Sequence, residues 1–319
     1  MKILLTRRWP ARVEDYLGAS YDVVLNESDA PMSAAELSAA FDAFDVICPT
    51  VSDKIGADII GGARRTKLLA NFGVGLDHID IGACKAAGVR VTNTPGVLTD
   101  ATADLAMTLL LMAARRAGEG ARELREGRWS GWRPTHLLGR SVSGKTLGLI
   151  GFGRIAQATA HRARLGFGMN ILYYSRSPAP DDVAAPLNAT RAESLNALLT
   201  QSDVVSLHVP GGEETKSMIG AKELARMKPG AILVNTARGG VVDHDALARA
   251  LKEGPLAAAG LDVYPQEPKV PEALLGLENV VLLPHLGSAT EETRTAMGMR
   301  AAANVEAFIS GKPLPDPVV

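Results

Sequence analysis

Residues 146–156, TLGLIGFGRIA, constrain the fold more than any other stretch of the chain. An apolar strand-like run, TLGLI, leads directly into Gly151-Phe152-Gly153-Arg154-Ile155-Ala156, and a helix-forming stretch continues through Leu165. This is G-x-G-x-x-A between a strand and a helix, the context that a dinucleotide-binding loop requires. Gly151 permits the tight turn, Gly153 lets the backbone approach a pyrophosphate without an intervening Cβ, and Ala156 lets the helix lie close to the strand. The helix N-terminus, with Phe152, Arg154 and Ile155 around it, then offers unpaired N–H groups and a positive dipole end to phosphates. The glycines alone would also suit a tight turn in an ordinary α/β protein. Gly73-Val74-Gly75 shows that G-x-G occurs here without a suitable helix following it.

Short β-rich runs alternate with Ala- and Leu-rich helical stretches along most of the chain, the pattern of βαβ units on a parallel sheet. Strands are expected at 2–5, 22–25, 45–48, 67–70 and 90–92, and a second series at 146–150, 170–174, 204–207, 232–235, 258–262 and 280–283. Between the series a single long helix is expected over 103–126, with Asp100 as its N-cap. A last helix covers 291–309, and the Pro-rich end is an extended tail. At 319 residues two domains are expected. One is placed at 99–287; the other is built from 1–98 and the C-terminal helix in 288–319. A cleft between two domains is a usual place for ligands.

The strand after the glycine loop carries the cofactor choice. An NAD site usually has Asp or Glu about 20 residues beyond the glycines, bonding the ribose 2′-OH. Here NILYY ends in Ser175-Arg176-Ser177, without a carboxylate. A guanidinium flanked by hydroxyls suits a 2′-phosphate, so NADP(H) is favoured and NAD(H) stays open.

Three charged residues each follow an apolar strand: Arg238 after ILVN, Glu267 in GLDVYPQEP, and His285 after VVLL. Ligands of open α/β sheets bind at that carboxyl edge. Singly, each admits a bland reading: a surface arginine, a solvent-facing carboxylate, a buried histidine. As an ordered set downstream of a dinucleotide loop they read as catalytic.

Five segments, NFGVGLDHID, GFGRIA, NTARGGVVD, GLDVYPQEP and PHLGSAT, follow one another in this order. Together they resemble the D-isomer-specific 2-hydroxyacid dehydrogenases, most closely the glyoxylate/hydroxypyruvate reductases. The resemblance spans nearly the whole chain. It implies two doubly wound parallel-sheet α/β domains, a Rossmann-type cofactor domain inserted in a flavodoxin-like substrate domain. It implies NADPH-dependent reduction of small 2-keto acids such as glyoxylate and hydroxypyruvate. On this resemblance Arg238 would grip the substrate carboxylate and carbonyl, Glu267 would hold the imidazole, and His285 would be the acid/base. The backbone N–H groups of Val74 and Gly75 would bind the substrate carboxylate. Asp262 would orient the nicotinamide carboxamide and Thr102 would lie beside the cofactor. Further cofactor contacts fall at Val209, Pro210 and Thr215, at Thr236 and Ala237, and at His285 and Gly287. A homodimer is expected by resemblance only. The same scaffold also carries NAD-linked phosphoglycerate-type dehydrogenases and dinucleotide-sensing corepressors, which stay open as alternatives.

Arginine suits the clamp role because its planar fork matches two oxygens of a 2-keto acid. An imidazole titrates near neutrality, and a carboxylate beside it favours the charged form and fixes its orientation. Composition excludes other classes. A net charge of −1 argues against a nucleic-acid binder, and 46% hydrophobic residues argue against disorder. The longest apolar run, 105–114, is too short to span a bilayer, and no signal peptide is read at the N-terminus. Cys48 and Cys84 read as small buried residues, and no metal-ligand spacing is present. The expectation is a soluble cytoplasmic enzyme without metal. His78, His136, His161, His208 and His244 are read as structural, with Trp132, Arg133 and His136 in a loop that could reach a second subunit's site.

Overall fold

The computed structural model describes residues 1–61 and 65–319. Packing divides the chain into two units, Met1–Leu98 with Ser288–Val319, and Thr99–Gly287.

In the first unit β1 (Lys2–Leu5), β2 (Asp22–Leu25), β3 (Val46–Cys48), β4 (Leu68–Ala70) and β5 (Arg90–Thr92) form one sheet. Their order is β2-β1-β3-β4-β5 and all pairings are parallel, the flavodoxin-like winding. Side chains alternate between faces: Ile3, Leu5, Val46 and Cys48 enter one core layer, Leu4 and Ile47 the other. Burial on both faces explains why β1, β3 and β4 read as continuous apolar runs. The helix Glu291–Ile309, N-capped by the Thr290 hydroxyl, returns to this unit and packs Ala301, Ala302 and Val305 beside Val13 and Leu17. The tail then lies along β5, with Val318 N donating to Val91 O (2.8 Å) and Val91 N to Val319 O (3.0 Å). It covers a sheet edge that would otherwise be open.

The second unit holds β6 (Thr146–Ile150), β7 (Asn170–Tyr174), β8 (Ala189–Arg191), β9 (Val204–Leu207), β10 (Ile232–Asn235), β11 (Ala258–Leu261) and β12 (Val280–Leu282). They pair in parallel in the order β12-β11-β10-β9-β6-β7-β8. Counted from β6, this is the Rossmann order with one more strand at the edge. Winding reverses between β6 and β9, so the loops after these two strands flank the switch point where such sheets bind ligands.

Several expectations need correction. The strand β8 was not anticipated; Ala189-Thr190-Arg191 is short, partly exposed and without an apolar run. Asp45, Lys67, Asp262 and Leu283 fall just outside their strands. The single helix over 103–126 is two helices, Thr99–Ala114 and Ala117–Arg125. Arg116 between them is left-handed, φ 51°. Ala114 O accepts from Arg140 N (2.8 Å), so the carbonyl that would continue the first helix is taken by a distant segment. Asp100 is not the N-cap; it sits within the first turn and pairs with Arg162 Nη2 at 3.0 Å. Among the described residues no helix is long and apolar enough to cross a membrane.

Candidate active site

At the carboxyl end of β6, Gly151 adopts φ 87°, and its N–H donates to Tyr174 O (2.8 Å). A Cβ at Gly151 would lie 2.6 Å from His208 O, so only glycine fits this turn at the switch point. Gly153 starts the helix Arg154–Phe167 without a side-chain cap, and a Cβ there would meet no atom within 4 Å. The amides of Arg154 and Ile155 belong to the first turn, which has no intrahelical acceptors. Gln157 Nε2 steadies the loop by donating to Phe152 O (2.8 Å). Phe152 itself stacks on Tyr173 (4.1 Å between centroids) in the core, so only its backbone belongs to the loop surface. At the end of β10, the Thr236 hydroxyl is buried with no partner among the described residues. An open backbone cradle at a bare helix N-terminus and an orphaned hydroxyl fit a dinucleotide.

Beyond β7, Arg176 Nη1 pairs with Glu214 Oε2 at 3.1 Å, both side chains being exposed. The Ser175 hydroxyl donates to Ser177 O (2.5 Å). Arg191, on the unanticipated strand β8, donates from Nη2 to Ser175 O (3.0 Å) and Arg176 O (3.1 Å). The carboxylate that the strand end lacks thus arrives from another loop. Sequence reasoning missed Glu214 because it lies 38 residues from Arg176. In the loop after β9, Thr215 donates to Pro210 O (2.7 Å) and so shapes residues 209–215.

Arg238 is placed by a buried asparagine. Asn235, the last residue of β10, accepts from Ala237 N through Oδ1 (3.0 Å) and donates from Nδ2 to Arg238 O (2.9 Å). The Arg238 guanidinium donates from Nη1 to Ala237 O (2.7 Å). His244, at the start of the next helix, donates from Nε2 to Gly239 O (3.1 Å), a role that keeps it structural.

Glu267 and His285 meet from loops after β11 and β12, with His285 Nδ1 2.7 Å from Glu267 Oε2. The other carboxylate oxygen of Glu267 accepts from Tyr264 N (2.9 Å). Each side chain is about one-third exposed (33% and 32%), so the pair is reachable. Burial acts to raise the Glu267 carboxyl. The hydrogen bond and charge of His285, the Tyr264 amide and the charge of Arg238 outweigh it and hold the group below its ordinary value.

His285 is left-handed, φ 55°, an uncommon state for a non-glycine residue. Its N–H donates to Asp262 O (3.0 Å). The buried Asp262 carboxylate accepts from Leu286 N (2.6 Å) and Gly287 N (2.8 Å), and Thr102 donates to Gly287 O (2.9 Å). Asp262 and Thr102 therefore build the loop that carries His285, a role the sequence reading did not contain. Burial pushes the Asp262 carboxyl up.

The second unit thus brings together Arg238, Glu267, His285, Asp262, Thr102 and Gly287. Val74 and Gly75 lie in the first unit, in the loop after β4. Of the remaining histidines, His136 pairs with Glu123 (2.9 Å) and His208 with the Ser206 hydroxyl (2.9 Å), and burial brings His208 down to about 4. His161 is exposed on the helix after the glycine loop. Cys48 and Cys84 are buried free thiols.

The family model described as D-isomer specific 2-hydroxyacid dehydrogenase, NAD binding domain, matches residues 107–287. The chain is 46% identical over 316 residues to a glyoxylate reductase of Thermococcus litoralis, covering 98% of this chain and 94% of the relative. It is similar to the TT0316 protein of Thermus thermophilus, with TM-score 0.91, 44% identity and full coverage of both chains (100% each). It is also similar to an NADPH-dependent glyoxylate/hydroxypyruvate reductase of Sinorhizobium meliloti solved with NADP and malonate. There the TM-score is 0.88 at 36% identity, over 100% of this chain and 96% of the other.

Proposed function

The chain belongs to the D-isomer-specific 2-hydroxyacid dehydrogenase family and is an NAD(P)-dependent oxidoreductase of 2-keto acids; from this premise we propose that it reduces glyoxylate and hydroxypyruvate with NADPH, with His285 as the proton donor. The observation that carries the proposal is the 2.7 Å contact between His285 Nδ1 and Glu267 Oε2, beside Arg238. With Nδ1–H committed to the carboxylate, Nε2 of the imidazolium is left to protonate the ketone oxygen. Arg238 holds the substrate through its fork, and the amides of Val74 and Gly75 take the carboxylate. The nicotinamide, when bound, supplies the hydride to the keto carbon. The C=O double bond becomes C–O–H: the carbon gains hydride and the oxygen gains the proton lost by His285.

The preference for NADPH is supported by Arg176 and its neighbouring hydroxyls, and by the cofactor of the Sinorhizobium meliloti relative. Against it stands the Glu214 carboxylate beside Arg176, which would repel a 2′-phosphate unless it turns away. Leu124, Trp129, Trp132 and Leu138, each exposed within one stretch of the chain, support a homodimer through this segment. Light scattering at micromolar protein would read that state directly.

The deciding experiment is initial rates of glyoxylate and hydroxypyruvate reduction with NADPH and, separately, NADH. Turnover favouring NADPH upholds the reductase and its cofactor. Turnover favouring NADH retains the reductase and removes the cofactor assignment. In either case His285→Ala should abolish turnover while cofactor binding persists; near-normal turnover in that variant would end the assignment of His285.

A further inference from the structure

The loop 73–75 in the first unit is held at all three of its carbonyls, and Gly73 N in addition donates to Asn71 O (3.0 Å). Asn71, at the carboxyl end of β4, is fully buried, and its Nδ2 donates to both Gly73 O and Gly75 O, each at 3.0 Å. Gly73 O also accepts from Thr94 N (3.0 Å), and Val74 O accepts from Asn93 Nδ2 (3.0 Å). The Asn71 Oδ1 accepts from His78 Nε2 at 3.0 Å. The two carbonyls set which way the amide faces, because turning it over would put Oδ1 against both of them, and His78 then holds the far side of the amide as the donor to Oδ1.

In a trans peptide the C=O and the following N–H point in opposite directions. Tying down Gly73 O therefore aims the Val74 N–H the other way, and tying down Val74 O does the same for the Gly75 N–H. Among the described residues neither N–H has a protein acceptor. Two adjacent amides so presented form a concavity for an anion.

We propose that Asn71, Asn93 and His78 are positioning residues that hold these amides ready for a 2-keto acid's carboxylate. The inference rests on the reading of Val74 and Gly75 in the preceding subsection and extends it to the residues that orient them. The carboxylate keeps its charge throughout the reaction. The clamp therefore acts equally on bound substrate and transition state, and its loss appears in KM rather than kcat.

The test compares Asn71→Asp, His78→Phe and His78→Gln with the wild type. Asn71→Asp sets an acceptor against both carbonyls; KM for glyoxylate and the inhibition constant of oxamate should rise together by about tenfold or more, with kcat within about threefold. The dissociation constant of NADPH should stay unchanged. Should the buried Asn71→Asp variant fail to fold, His78 decides. His78→Phe keeps Asn71 but removes its anchor, and should raise KM about three- to tenfold, while His78→Gln restores a donor and recovers most of the loss. Variants that lower the melting temperature or kcat while KM and oxamate binding hold would overturn the clamp. Failure of the wild type to reduce any 2-keto acid would instead overturn the functional reading, and it would show before any variant is made.

Discussion

His285 Nδ1 lies 2.7 Å from Glu267 Oε2, and the two residues come from loops after different strands. On the proposed mechanism the contact divides the ring's labour: one nitrogen is fixed on the carboxylate, and the other is left for the substrate. Asp262 and Thr102 hold the backbone of the loop that carries the ring, with His285 itself left-handed.

Glu267→Gln keeps the shape but removes the charge that favours the imidazolium. The reductive kcat should fall about 10²- to 10⁴-fold with cofactor affinity intact. Steady-state rates beside fluorescence titration of NADPH would check this, and an unaltered kcat would refute the pairing's role.

Arg238→Lys retains the charge and loses the fork. KM should rise and kcat should fall, together lowering kcat/KM about 10²-fold. An unchanged kcat/KM would remove Arg238 as the substrate clamp.

If Arg176 takes a 2′-phosphate as proposed, Arg176 and Glu214 should act in opposite senses. Arg176→Asp should weaken NADPH about 10- to 100-fold and leave NADH nearly untouched. Glu214→Gln should tighten NADPH by only about fivefold or less, because an exposed ion pair is worth about 0–1 kcal/mol. Equal effects on both cofactors would dismiss the 2′-phosphate argument.

Gly151 and Gly153 separate folding from binding. Gly151→Ala forces a Cβ against His208 O in a left-handed turn and should cost about 1–3 kcal/mol of stability. Gly153→Ala meets no protein atom, so the melting temperature should hold while NADPH binding weakens about tenfold. A Gly153→Ala enzyme with normal affinity would show that no phosphate approaches this backbone.

Asp316 anchors the C-terminal tail, accepting from Arg300 Nε (3.0 Å) and Nη2 (2.7 Å) and from Asn304 Nδ2 (3.0 Å). Burial tends to raise its carboxyl, but the bonds from Arg300 and Asn304 hold it below its ordinary value. A depressed carboxyl lends stability above the unfolded value, about 3.9, and loses it as pH falls through the folded value. Asp316→Asn should therefore be destabilised by about 1–3 kcal/mol at pH 7, a figure reduced because Arg300 is partly exposed. The deficit should shrink below about pH 4. A deficit that is the same at pH 3 and pH 7 in denaturant titrations would show that its source is not the charge.

Features made by neighbours in sequence were legible from the chain alone. The strand, glycines and helix around Gly151 follow one another within a dozen residues, and apolar runs mark the buried parallel strands. The positions of Arg238, Glu267 and His285 in loops after β10, β11 and β12 were legible because each lies just past such a run. The short strand β8 was missed because edge position and brevity leave it no apolar pattern. The break at Arg116 was missed because its cause, Arg140 N on Ala114 O, is a contact with a distant segment.

The sequence by itself determined the alternating α/β architecture, the dinucleotide loop and the order of the charged residues, since all three depend on local periodicity and spacing. Only the tertiary structure decided that Thr102 braces Gly287 from 185 residues away and that Asp262 holds the backbone of the His285 loop. Likewise, only folding set Glu214 against Arg176. The reason is that a side chain's partner is chosen by packing and by the need to satisfy buried polar groups. Those conditions exist only once distant segments have come together.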